Sequence, residues 1–252
     1  MLSPQVKVWL TAALALLSGY MLSQARQYAV RPPLVLGQDA VSDQASTQAR
    51  VSLENVGGPV IHILPPVQRG RVLLVFYGGG LVRPQAYEWL GRALSAKNIE
   101  TLIPAFPADL AVTQQGRAAA LIAKYAQGRP VVLAGHSLGG AMAAQYAGKN
   151  PAQISGLILM AAYPPKNTDL TAAKFPVLSL LAEHDGVASP ADVRGGLARL
   201  PSNTELKVIS GSVHSFFGRY GPQKGDGIPS VSRQQAEDQI LKDVEAFVAQ
   251  VQ

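Results

Sequence analysis

Residues 131–146 constrain the fold of this chain more than any other stretch. Val131-Val132-Leu133-Ala134 is a continuous apolar run, the pattern of a strand buried on both faces. Gly135-His136-Ser137-Leu138-Gly139-Gly140 follows directly, and Ala141-Met142-Ala143-Ala144-Gln145-Tyr146 is a good helix former. Strand, Gly-x-Ser-x-Gly and helix together make a turn so sharp that the serine backbone is strained and its hydroxyl stands alone. Gly135 and Gly139 flank it because side chains there would collide where strand and helix nearly touch. Ser137 is the candidate nucleophile.

A serine hydroxyl needs a base to take its proton and a carboxylate to orient that base. The chain downstream supplies both. Pro176 to Ala182 reads as a buried strand with Glu183-His184-Asp185-Gly186 at its end, and Val187-Ala188-Ser189-Pro190 then looks like a helix start. Glu205 to Ile209 reads as another strand, and its exit loop Ser210-Gly211-Ser212-Val213-His214 carries the one histidine beyond Asp185. Ser137, Asp185 and His214 each sit just past the C-terminal end of a predicted parallel strand, the edge where open α/β sheets place their sites. Glu183, on the same strand end, and Asp169, after the preceding strand, stand as rival acids. His184 precedes the last strand and is out of order for the base. His136 reads as a packing residue, and His62 as facing solvent or a neighbour from an edge strand. None of the four histidines pairs at helical ligand spacing and there is no cysteine, which argues against a metal site.

These features resemble the α/β-hydrolase superfamily, and within it the compact group similar to dienelactone hydrolases and small esterases. The resemblance covers about Arg71 to Val251. It rests on the elbow at Ser137, on Asp185 and His214, and on the glycine-rich loop Tyr77-Gly78-Gly79-Gly80-Leu81 after an earlier strand. It implies an α/β-hydrolase fold, a mostly parallel central sheet with helices on both faces. It also implies a serine hydrolase, most simply of carboxylic esters, with Ser137, Asp185 and His214 as its triad. The backbone N–H groups of Leu138 and of Gly79 or Gly80, within the loop 78–80, would receive the oxyanion. A small-molecule acyl substrate is implied, with no cofactor and no metal. Tyr77 departs from the histidine that family members often carry before these glycines. Thioester or peptide cleavage on the same residues, or a non-catalytic binding protein of the same fold, remain as alternatives.

The connection from Ala162 to Val177 is short, so a minimal cap is expected. The long loop after His214 carries Phe216, Phe217 and Tyr220, expected to wall the substrate pocket. Elsewhere strands are expected at 50–53, 60–63, 71–77, 100–103 and 157–161, with helices around Ala86–Leu94, over Val112–Gln127 and at the C-terminus. Such alternation means a parallel sheet covered on both sides.

The chain has 252 residues, 48% of them hydrophobic, and a net charge of +6. One ordinary domain is expected. Lys and Arg are dispersed without an aromatic-basic cluster, which argues against nucleic acid as a partner. Lys7 precedes an apolar run over residues 8–22, and Ser23-Gln24-Ala25 offers small residues for cleavage. Residues 1–25 therefore read as a signal peptide or membrane anchor, 26–48 as a linker and 49–252 as the hydrolase domain. Both readings of the N-terminus place that domain outside the cytoplasm.

Overall fold

A continuous helix, α1 (Pro4–Ala29), opens the computed structural model, which describes residues 3–29, 34, 48–66 and 69–251. At 1.5 Å per residue it is about 39 Å long. Its segment Pro4–Ser23 spans 20 residues with a mean hydropathy of 1.4 and is exposed, enough to cross a hydrocarbon core of about 30 Å by length and composition. The apolar run read from sequence, residues 8–22 with Thr11, Ser18 and Gly19 inside it, is shorter because it begins only after Lys7. In the helix these do not break it: Thr11 Oγ1 donates to the Lys7 carbonyl at 3.0 Å. The helix also runs through the first residues of the expected linker. Most of the rest of that linker lies outside the described residues, but Leu34 forms an antiparallel bridge with Tyr220. Residues 1–31 make one compact unit and residues 32–252 a second.

The second unit is built on eight strands: β1 (Arg50–Asn55), β2 (Pro59–Leu64), β3 (Val72–Tyr77), β4 (Ile99–Pro104), β5 (Val131–His136), β6 (Gly156–Met160), β7 (Val177–Ala182) and β8 (Glu205–Ile209). Their spatial order is β1-β2-β4-β3-β5-β6-β7-β8. β2 is antiparallel to both neighbours and all other pairings are parallel. From β3 the chain steps to one side for β4 and then to the other side for β5, and all three strands run parallel. The loops leaving these strands therefore gather at one edge.

The core divides by strand alternation. Val72, Leu74 and Phe76 of β3 face one side, with Leu90 and Leu94 of α2 (Glu88–Ser95), Val193 of α5 (Pro190–Gly196) and Ile240, Val244 and Phe247 of α6 (Arg233–Gln250). Leu73, Val75 and Tyr77 face the other, with Leu121 of α3 (Ala118–Tyr125) and Ala143 and Ala147 of α4 (Leu138–Lys149). Continuous apolar runs in the central strands follow from this two-sided cover. Ser189 caps α5 by accepting from Asp192 N, as the Ser-Pro start suggested.

One expected helix is shorter than its periodicity predicts. Residues 111–117 form 3₁₀ turns with a break at Gln114, and only Ala118–Tyr125 is α-helical. The Tyr77 hydroxyl accepts the Ala118 N–H at 2.7 Å and donates to the Gln115 carbonyl at 2.9 Å. Arg117 is drawn away to the carbonyls of Val56, Ala105 and Pro59. Tertiary hydrogen bonds thus override local helix preference. Tyr77 points away from the glycine loop and caps α3.

Candidate active site

Ser137 links β5 to α4 with φ 52° and ψ −126°, a conformation that disfavours any residue with a Cβ. The turn holds because no side chain obstructs it. A Cβ on Gly135 would lie 2.6 Å from the Gly139 carbonyl oxygen, and one on Gly139 would lie 2.2 Å from the Tyr77 oxygen. The Ser137 N–H donates to the Met160 carbonyl at 2.9 Å, fastening the turn to β6.

Left-handed backbone collects at this edge. Leu81 follows β3, Ala108 and Asp109 follow β4, and Ala161 follows β6, with φ of 61°, 54°, 56° and 45°. Each costs on the order of 1–3 kcal/mol, and strain of this kind concentrates where function requires it. Leu81 N donates to the Asp109 carbonyl at 2.9 Å, tying the loops after β3 and β4 together.

Asp185 and His214 meet. His214 Nδ1 lies 2.8 Å from Asp185 Oδ2, with the residues only 1% and 5% exposed. The other carboxylate oxygen, Oδ1, accepts the N–H groups of Val187 and Ala188 at 2.8 and 2.7 Å. A carboxylate saturated in this way fixes which histidine nitrogen carries its proton. The rivals lie elsewhere: Glu183 accepts the Gly211 N–H at 2.7 Å, and exposed Asp169 accepts that of Thr171. His214 Nε2 is buried without a hydrogen-bond partner, so Ser137 and His214 are not hydrogen-bonded to each other in this conformation. Ser137 itself is partly exposed.

Asp226, which carried no signal beyond its place in a glycine-rich loop, braces the histidine. Its Oδ1 accepts from His214 N and Gly227 N, both at 2.9 Å, and its Oδ2 from Ser215 N at 2.8 Å.

The glycine loop is more specific than its sequence. The Gly79 N–H donates to the Tyr87 hydroxyl at 2.8 Å and is therefore occupied. Among the described residues, Gly80 N–H and Leu138 N–H have no such partner. A side chain on Gly80 would meet Leu138 Cδ2 at 3.2 Å and Leu110 Cδ2 at 3.7 Å, so two leucines close over it.

Two aromatics expected to wall the pocket do not. Phe217 and Tyr220 are 0% exposed and lie in the core beside the His136 ring, at centroid distances of 5.6 and 6.1 Å. The Tyr220 hydroxyl is held by Gln223 at 2.8 Å. Phe216 is half-buried beneath the Arg233 guanidinium, 4.4 Å from its ring centre. The connection between β6 and β7 has no helix, so nothing there forms a cap.

A family model described as the alpha/beta hydrolase family matches residues 73–238, most of the chain and the whole of this edge. The chain belongs to the alpha/beta hydrolase family. Among solved structures, a predicted CIB-like hydrolase from Thermoplasma acidophilum is similar with a TM-score of 0.60 and 15% identity, over 79% of this chain and 97% of that one. Dienelactone hydrolase from Anabaena variabilis is similar with a TM-score of 0.58 and 16% identity, over 81% and 98%. At these identities the likeness is one of fold. No curated protein matches the sequence. The strand order and the elbow after β5 are thus those of an α/β hydrolase, and the side chains at the sheet edge decide its chemistry.

Proposed function

We propose that this α/β hydrolase is a serine hydrolase that cleaves a carboxylic ester of a small acyl substrate. The observation that carries the reading is the buried Asp185–His214 hydrogen bond at the same sheet edge as a strained serine turn. Ser137 attacks the carbonyl while His214 Nε2 accepts its proton. Asp185 holds the other ring nitrogen protonated and stabilises the imidazolium. The serine–histidine bond forms as substrate seats, since such bonds are often long or misaligned before binding. His214 then protonates the leaving group and activates water against the acyl-enzyme.

The oxyanion is received by the Leu138 N–H, at the first turn of α4, and by the Gly80 N–H across from it. A helix N-terminus favours negative charge. Donors of this kind are worth roughly 3 kcal/mol each in the transition state. Leu110 and Leu138 beside Gly80 favour a short or medium acyl group. No cofactor, metal or nucleic acid enters this reading. The exposed apolar segment of α1 supports export or membrane anchoring, with the hydrolase domain outside the cytoplasm.

A panel of p-nitrophenyl esters from acetate to palmitate, with matched thioesters and anilides, tests the reading. Turnover of the esters, highest for short and medium chains and absent in folded Ser137→Ala, is expected. Preference for thioesters or anilides would move the substrate class. No turnover of any of them would favour a binding protein on this fold.

A further inference from the structure

The mechanism leaves one group of buried polar atoms unused. Tyr87, from the 3₁₀ turn before α2, and His136, the residue before the serine, are both almost completely buried. The Tyr87 oxygen lies 2.8 Å from Gly79 N and 2.9 Å from His136 Nδ1. The His136 ring stands 4.5 Å from the His214 ring, centre to centre, tilted by 46°. His136 Nε2 is buried beside the backbone of His214, with no side-chain partner among the described residues.

The direction of each bond follows from the donors. Gly79 N–H can only donate, so the Tyr87 oxygen accepts it. The single phenolic hydrogen then has His136 Nδ1 as its acceptor, because a buried hydroxyl hydrogen needs one. His136 must carry its proton on Nε2. Its charged form is disfavoured, first by burial and then by the neighbouring His214, which holds its pKa well below the ordinary histidine range. A neutral ring is what the geometry requires, since a cation at this distance would oppose the imidazolium that His214 becomes.

The glycines of the loop fit the same arrangement. A Cβ on Gly79 would lie 2.9 Å from both the Tyr87 oxygen and His136 Nδ1, and one on Gly78 would lie 2.9 Å from Tyr87 Cε2. Phe217 and Tyr220 also pack beside the His136 ring. Phe76 packs on Tyr87 at 4.8 Å.

We infer that Tyr87 and His136 are positioning residues that join the oxyanion loop to the histidine base through the chain Gly79 N–H, Tyr87 O–H, His136 and the His214 ring. Tyr87 withdraws the Gly79 N–H and so turns the loop to present Gly80. His136 backs the His214 imidazole as a neutral wall. Neither touches substrate. This assignment rests on the serine-hydrolase reading above.

The test compares wild type with Tyr87→Phe, His136→Phe and the double variant, using p-nitrophenyl butyrate well below the unfolding temperature. Misplacement of a reacting group typically costs about a hundredfold. Each single variant is expected to lose about ten- to a hundredfold in kcat, with KM within about twofold, and the double variant to be no slower than the slower single one. Wild-type kcat in folded Tyr87→Phe, or losses that multiply in the double variant, would overturn the relay while leaving the serine-hydrolase reading intact. An inactive wild type would instead sink that reading, and the assignment with it. A measurement on the unaltered protein guards against variants that fail to fold. Ring ¹⁵N shifts of His136 should report the Nε2–H tautomer with no titration between pH 5 and 8, and the Nδ1–H tautomer would contradict the relay.

Discussion

Asp185 Oδ2 and His214 Nδ1 lie 2.8 Å apart, with their side chains 0% and 1% exposed. The pair is held from both ends. Two backbone N–H groups fasten the aspartate, and Asp226 fastens the backbone of the histidine loop. A contact with this much support has one geometry.

Asp185→Asn is expected to lower kcat by about a thousandfold or more, because an amide in that place favours the wrong histidine tautomer. Glu183→Gln and Asp169→Asn should each stay within a few-fold of wild type. Steady-state kinetics on the three variants checks this, and a largest loss at Asp169 would show the acid to be elsewhere.

Asp226→Asn should act on the loop. It turns a charged acceptor of three N–H groups into an amide that satisfies at most part of them, at a cost of about 2 kcal/mol in stability. Urea unfolding reads the loss, and kcat should fall with it. A variant with wild-type stability and rate would remove the brace from the account.

His62 predicts a pH dependence of stability away from the site. It lies between Glu54 at 2.6 Å and Glu100 at 2.9 Å. Burial opposes its charge, but the hydrogen bonds to Glu100 and Glu54 outweigh burial and raise its pKa above 6.5. Glu54, bonded by Tyr125 and His62, is lowered to about 2. Glu100 is lowered to about 2 because hydrogen bonds from His62 and Arg129 overcome its burial. The histidine contribution is fully present below its unfolded value and is lost as pH rises through the folded one. The carboxylate contributions are present above about 4.5 and are lost as pH falls towards about 2. Stability from this cluster is therefore greatest between about pH 4.5 and 6.5. His62→Gln should flatten the fall on the alkaline side in urea titrations, and parallel curves for variant and wild type would contradict the assignment.

Removing α1 should leave the second unit folded and active, provided Leu34 is kept. A chain beginning at residue 30 is expected to match full-length kcat. One beginning at residue 40 loses the bridge to Tyr220 and should unfold at lower temperature. Circular dichroism melts separate the two, and equal melts would show the bridge to be dispensable.

How much of this was legible follows from the kind of signal each residue carries. The strands and the elbow announce themselves because buried parallel strands are uninterrupted apolar runs and the turn at Ser137 needs glycines at fixed offsets. That Asp185 and His214 come to one edge follows from strand order alone. Periodicity tells which face a side chain takes but not what waits there. His62 thus reads as an edge residue although two carboxylates enclose it, and Tyr87 falls between Ala86 and Trp89 of a core-facing stripe without a signal of its own. The loop after His214 has no period at all. Its aromatics were placed by composition, whereas the bond from Arg233 to Ser215 and the Leu34 bridge turn Phe217 and Tyr220 inward. The broken helix before α3 failed for the same reason, since the Tyr77 hydroxyl that stops it is distant in sequence.

The central claim is that Ser137 is an activated nucleophile, and covalent labelling tests it most directly. Purified protein treated with a fluorophosphonate should gain one adduct, mapped by peptide mass spectrometry to Ser137. Labelling should be lost in Ser137→Ala and slowed at least about a hundredfold in folded His214→Ala. An unlabelled wild type, or an adduct on another residue at an undiminished rate in Ser137→Ala, would contradict the account.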